Sequence, residues 1–279
     1  MVIDFHTHLF APDVISHRDA YLSDRHFALL NTDPASRLAG HTEALAACAE
    51  DGIDFMVAMG FAWHSASFCQ RQNRYFAELP GLTGGKIIPF GSVPLDDKKN
   101  IAGWVREIRA AGLAGIGEVA FYAEGMTNEN TDFLYALFDR ARATSLPLCL
   151  HVNEPVGHEY PGKYEPSLAR LYAILAQYRD VTVILSHWGG GLFAYELMPE
   201  VRETLDRCYY DTAATPYLYR NTVYTVALEI IGGEKILFGS DYPLIRPKRY
   251  ITTIAESVSD EKTRKRILGG NAARILGIS

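Results

Sequence analysis

Residues 2–8 read Val2-Ile3-Asp4-Phe5-His6-Thr7-His8. Val2 to Phe5 have the composition of a short buried strand, and the run passes directly into a His-x-His pair. Side chains two apart on an extended chain project to one face, so the two imidazoles can grip a single ion. Paired histidines at the end of a buried strand cost desolvation and fill a core less well than Leu or Val. A metal-ligand role therefore explains them better than packing does, and it requires further ligands elsewhere in the chain.

The rest of the sequence repeats the same kind of strand. Apolar runs over 54–60, 87–93, 114–119, 147–152, 181–187, 209–213 and 235–241 follow the first, each separated from the next by a helical segment. The helices are expected near 43–51, 68–79, 97–111, 130–144, 166–178, after the glycines up to 207, and 220–231, with two closing helices at 248–258 and 260–276. Helical crossovers between strands that are apolar on both faces imply a parallel sheet covered by helices, and eight such units close most simply into a (β/α)8 TIM barrel. An open doubly wound sheet is the alternative, but no Gly-x-Gly-x-x-Gly turn follows the first strand. The chain reads as a single α/β domain over 1–279, with 9–42 as a long loop or lid beside the histidine pair.

Composition limits the partners. The chain has 279 residues, is 48% hydrophobic and 22% charged, and carries a formal net charge of −6, which argues against nucleic acid or an anionic membrane as a main partner. No apolar stretch approaches the roughly 18 residues of a membrane span, and the first residues lack the basic-then-apolar run of a signal peptide, so a cytoplasmic location is expected. Cys48, Cys69, Cys149 and Cys208 are widely spaced, which excludes a zinc ribbon or a compact disulfide framework. The expected partner is a small-molecule substrate. A homodimer is the default assembly, symmetric dimers being the commonest.

In a parallel barrel the carboxyl ends of all strands meet on one face, which brings distant residues together. Read in chain order, those ends supply His6 and His8, then Glu118, His151, His187 and Asp241. Each is ionisable where burial would favour something else, and together they form an N/O ligand set suited to a divalent ion. Zinc is the first expectation, in one or two copies, with manganese, iron, cobalt and nickel as alternatives. Asp241 is placed to move protons, and His187 to stabilise an oxyanion or hold a second ion. Tyr122, Asn153, Trp188 and Arg246 also follow strand ends and are candidate substrate contacts, with Arg246 suited to a carboxylate and Trp188 to an apolar or aromatic wall. His17, His26, His41 and His64 lie in loops or at helix starts and read as solvated or locally bonded.

With these residues in view, the chain resembles the metal-dependent amidohydrolase superfamily, and within it the amidohydrolase-2 branch that includes aminocarboxymuconate-semialdehyde decarboxylase. The likeness spans the chain and is carried by Asp4-Phe-His-Thr-His8, Gly117-Glu118, His151, Ser186-His187-Trp188-Gly189-Gly190, Gly239-Ser-Asp241-Tyr-Pro243 and Gly270-Asn-Ala-Ala-Arg-Ile-Leu-Gly277. The resemblance implies a mononuclear site held by His6, His8, His151 and Asp241, with His187 as acid/base. TatD-like relatives use a Glu on the fourth strand to bridge two metals, which would place a second ion among Glu118, His151 and His187. A lysine-bridged centre is not expected, since no Lys ends that strand. The expected activity is hydrolysis of a small amide, ester or lactone by a metal-activated water. The alternative is nonoxidative decarboxylation of an aromatic or unsaturated acid, and a second ion would favour hydrolysis. A catalytically silent barrel is a third class, which the intact set of six weighs against.

Overall fold

A computed structural model describes residues 1–122 and 124–278. Its eight strands are β1 (Ile3–His8), β2 (Phe55–Met59), β3 (Ile87–Pro89), β4 (Ile116–Val119), β5 (Leu148–Leu150), β6 (Val183–Leu185), β7 (Cys208–Asp211) and β8 (Ile236–Leu237). Every neighbouring pair runs parallel, in the orders β1-β2-β3 and β4-β5-β6-β7-β8. Bridges Gly91–Ile116 and Thr7–Tyr242 join the two sets at both seams, and the Phe5 N–H donates to the Phe238 carbonyl at 2.7 Å. The ring is thus closed, as the eightfold alternation predicts.

Alternation along the strands sorts the core into two parts. Ile3, Phe5, Val57, Met59, Phe90, Cys149, Ile184 and Leu237 come from six places around the ring and form one cluster, which therefore fills the barrel. Ala272 joins it from the last helix, Asn271–Leu276, which packs across the amino end of the barrel. Their chain neighbours Met56, Ala58, Leu148, Leu150, Val183 and Leu185 belong to the larger cluster between strands and helices. The ladders are shorter than the apolar runs in the sequence, because several runs continue beyond the paired residues as coil directed toward the carboxyl face.

The expectation of a loop over 9–42 needs correction. The segment holds three short helices, Pro12–Ser16, Arg18–Tyr21 and Arg25–Asn31. Asp24 caps the third by accepting the N–H groups of His26 and Phe27. Phe10, Tyr21 and Phe27 from this segment pack in edge-on, tilted and stacked contacts with Phe61 and Trp63, so the insertion has its own aromatic core. No helix among the described residues is long and apolar enough to cross a membrane.

Candidate metal centre

The six strand-end residues converge. His6 Nε2 lies 3.1 Å from His8 Nε2, and Asp241 Oδ1 is 3.3 Å from His8 Nε2 and 3.8 Å from His6 Nε2. On the other side His151 Nδ1 is 3.1 Å from both His187 Nε2 and Glu118 Oε1. Glu118 joins the halves: Oε1 is 3.8 Å from His6 Nε2, and Oε2 is 3.7 Å from His8 Nε2. Two ligand groups result, His6–His8–Asp241 and Glu118–His151–His187.

Backbone conformation aims these groups. Asp241 has φ +63° and donates its N–H to the His6 carbonyl at 2.9 Å, which fastens the end of β8 to β1. Asp4 strengthens the same seam by accepting Ser240 N–H at 2.9 Å and Ser240 Oγ–H at 2.5 Å. After β6, residues 187–191 are all left-handed, with φ from +57° to +90°. A Cβ on Gly190 would lie 2.4 Å from the Asn153 carbonyl oxygen, so this turn packs against the chain beyond β5 only with glycine there.

Hydrogen bonding decides which ring nitrogens face the centre. His6 Nδ1 meets the Asp211 carboxylate at 2.8 Å, and His187 Nδ1 meets the Ala213 carbonyl at 3.1 Å. Both partners are acceptors, so both rings carry a proton on Nδ1 and turn Nε2 inward. Among the described residues, the Nδ1 of His8 and the Nε2 of His151 are buried with no hydrogen-bond partner. Inward-facing imidazole nitrogens beside two carboxylates are the donor set of a divalent cation.

Without a cation, protons balance the charge. Burial lowers the His187 pKa, but the hydrogen bond and charge of Glu118 outweigh it and raise the ring to about 9. Burial acts the same way on His6, and the charges of Asp211 and Glu118 carry it well above the usual histidine value. Burial raises both carboxyl groups, yet the charges of His151 and His6 hold Glu118 well below the usual range, and the bond from His8 with the imidazole charges holds Asp241 at about 2. Folded His187 therefore keeps a proton between its ordinary 6.5 and about 9. The stability this confers is complete below about pH 6.5 and is lost as pH rises through about 9. Metal-free protein is expected to lose on the order of 3 kcal/mol across that window, read as a falling melting temperature, and bound metal should flatten the slope. A level metal-free profile would contradict this charge assignment.

The predicted substrate contacts divide. Tyr122 is at the centre, its hydroxyl donating to Glu118 Oε2 at 3.3 Å and its ring edge-on to His151 at 5.2 Å. Trp188 is not at the centre: it is fully buried, donates Nε1–H to Thr215 Oγ1 at 2.9 Å and packs on Tyr224. The left-handed turn rotates it into the layer between strands and helices. Arg246 binds Asp51 with both Nε and Nη2, at 3.1 and 2.7 Å, and Glu50 at 2.8 Å, so its guanidinium holds helix His41–Asp51 instead of a substrate carboxylate. Asn153 is buried and donates to the Tyr164 carbonyl at 2.6 Å, a contact that shapes the loop after β5. His26, expected to be local, reaches across the fold: Nδ1 meets the Ala62 carbonyl at 2.8 Å and Nε2 meets Glu124 at 3.0 Å. Asp211 was absent from the predicted set, although it ends β7 in the same way that Asp241 follows β8.

The fold is similar along its whole length to solved structures. One is 5-carboxyvanillate decarboxylase from Sphingomonas paucimobilis, at 18% identity and a TM-score of 0.75, covering 100% of this chain and 99% of that one. Another is dihydroxybenzoic acid decarboxylase from Polaromonas sp., solved with bound manganese and the inhibitor 2-nitroresorcinol, at 16% identity and a TM-score of 0.70, covering 99% and 96%. A third is a probable 2-pyrone-4,6-dicarboxylic acid hydrolase from Acinetobacter baumannii, at 15% identity and a TM-score of 0.65, covering 99% of each chain. Similarity at this identity speaks to the barrel alone. The amidohydrolase family model goes further, since it matches residues 3–278 and takes in all six converging side chains, and the chain belongs to that family.

Proposed function

We propose that this chain is a metal-dependent enzyme that removes carbon dioxide from a hydroxylated aromatic or unsaturated carboxylic acid. The observation that carries the metal requirement is the set of inward-facing nitrogens of His6, His8 and His187 beside Asp241 and Glu118. Decarboxylation is favoured over the hydrolysis first expected because the whole-length structural relatives include decarboxylases of carboxyvanillate and dihydroxybenzoate. The donor set suits zinc, while manganese is the ion named with the Polaromonas enzyme.

The six converging side chains, His6, His8, Glu118, His151, His187 and Asp241, would hold the ion. Bound there, it supplies Lewis-acid polarisation of a substrate oxygen and stabilises the anion left when carbon dioxide departs. Asp241, unprotonated at rest, takes the proton of the substrate hydroxyl and returns it to the carbon that carries the carboxylate. Cleavage of the carbon–carbon bond then releases carbon dioxide and leaves the bonding pair on the ring, and the resulting phenolate takes a proton from water. Tyr122 stays a hydroxyl donor at working pH, because burial and the charge of Glu118 raise its pKa well above the ordinary value.

Glu118 supports a second reading. Its contacts with both halves of the cluster suit a carboxylate shared by two ions, the arrangement that favours hydrolysis of a lactone or amide. The test loads purified protein with manganese or zinc, measures ions per chain, and assays hydroxybenzoates for carbon dioxide beside lactones and amides for hydrolysis. Metal-dependent carbon dioxide release supports the proposal. Hydrolysis without carbon dioxide release, by protein carrying two ions, would replace it with the second reading.

A further inference from the structure

Asp211 is completely buried at the carboxyl end of β7, and three donors converge on it. Oδ2 accepts His6 Nδ1–H at 2.8 Å, while Oδ1 accepts the backbone N–H of His187 at 2.9 Å and of Ala213 at 3.1 Å. The Ala213 carbonyl in turn receives His187 Nδ1–H at 3.1 Å. We propose that Asp211 is the positioning residue that ties the two halves of the metal cluster together, orienting His6 through its ring and His187 through its backbone. The inference rests on the reading that His6 and His187 face a metal.

The chemistry of the site requires a carboxylate here. Donors approach both oxygens, so an amide of the same shape must turn its NH2 either toward His6 Nδ1–H or toward the two backbone N–H groups. Neither orientation restores the native bonds. No nearby group takes over the role well, since Ser186 Oγ lies 3.4 Å from His6 Nδ1 and is itself shared with Cys149 Sγ at 3.3 Å. His187 also opens the left-handed run through Gly191, where the chain makes no ladder bonds of its own, so the Asp211 contact anchors that turn. Outer carboxylates of this kind orient metal-bound histidines, and their loss typically weakens metal binding 10- to 100-fold.

The experiment titrates manganese or zinc into metal-free full-length protein, comparing wild type with Asp211→Asn and Asp24→Asn. Asp24 is a control of the same chemistry: it is buried and accepts N–H groups from His26, Phe27 and Ser65, but it caps a helix of the insertion. Asp211→Asn should weaken binding about 10- to 100-fold, whereas Asp24→Asn should bind metal as wild type does even if it melts earlier. Equal affinity of Asp211→Asn and wild type overturns the proposal alone. Wild type that takes up no metal overturns the metal reading and the proposal with it. If Asp211→Asn does not fold, nitrogen NMR of zinc-loaded wild type decides the matter: protons on Nδ1 and metal at Nε2 in both His6 and His187 support the proposal, and metal at Nδ1 of either ring overturns it.

Discussion

Replacing His6 and His8 together by alanine should abolish metal uptake and turnover while leaving the barrel folded. Tight four-ligand sites bind with about 10 to 16 kcal/mol, or roughly 3 kcal/mol per ligand, so losing two should weaken binding by about 10⁴-fold. The Nε2 atoms of these residues are only 3.1 Å apart, closer than two unprotonated nitrogens would sit without a cation or proton between them. The fold has other supports. The barrel interior is filled by Ile3, Phe5, Val57, Met59 and their neighbours, and Asp211 keeps two backbone donors when the His6 ring is gone. The metal-free melting temperature should therefore fall by only a few degrees. Metal analysis, circular dichroism and carbon dioxide release on the same preparation check the result, and full turnover by metal-free double variant would take the metal out of the mechanism.

What could be read in the sequence follows from which interactions are local. The barrel was legible because each strand is an apolar run and each crossover a helix, and convergence of six ionisable strand ends follows from parallel closure alone. Asp211 was legible by the same rule. In Tyr209-Tyr-Asp-Thr-Ala213 it is the carboxylate at the end of an apolar run, as Glu118 and Asp241 are in theirs. The short helices of residues 12–31 left little signal, since four to seven residues cannot establish a 3.6-residue period, although Asp24 before Arg25 is an ordinary capping residue. Trp188 and Arg246 show the opposite limit. Position after a strand places a backbone on the catalytic face but does not direct its side chain. The left-handed turn carries Trp188 away from the cluster, and Arg246 meets acids 195 and 196 positions earlier in the chain, a pairing that no local pattern reveals.

Asp241→Asn separates proton transfer from metal binding. Asparagine is among the residues that best tolerate a φ of +63°, so the Asp241 N–H bond to the His6 carbonyl and the Leu244 N–H bond back to residue 241 should both survive. The amide oxygen can still face His8 Nε2, now 3.3 Å from the carboxylate, and His6, His8 and His151 remain as strong ligands. Metal occupancy should stay near that of wild type. Turnover should fall about 100-fold or more, because an amide cannot accept a proton and hand it on. The wild-type carboxyl is held at about 2, so Asp241 begins each cycle as a base, and the variant's residual rate should be correspondingly insensitive to acid pH. If the variant instead loses its metal and regains activity when excess metal is supplied, Asp241 is chiefly a ligand. Proton transfer would then fall to His187 or Glu118, and His187→Asn would be the variant whose pH profile decides between them.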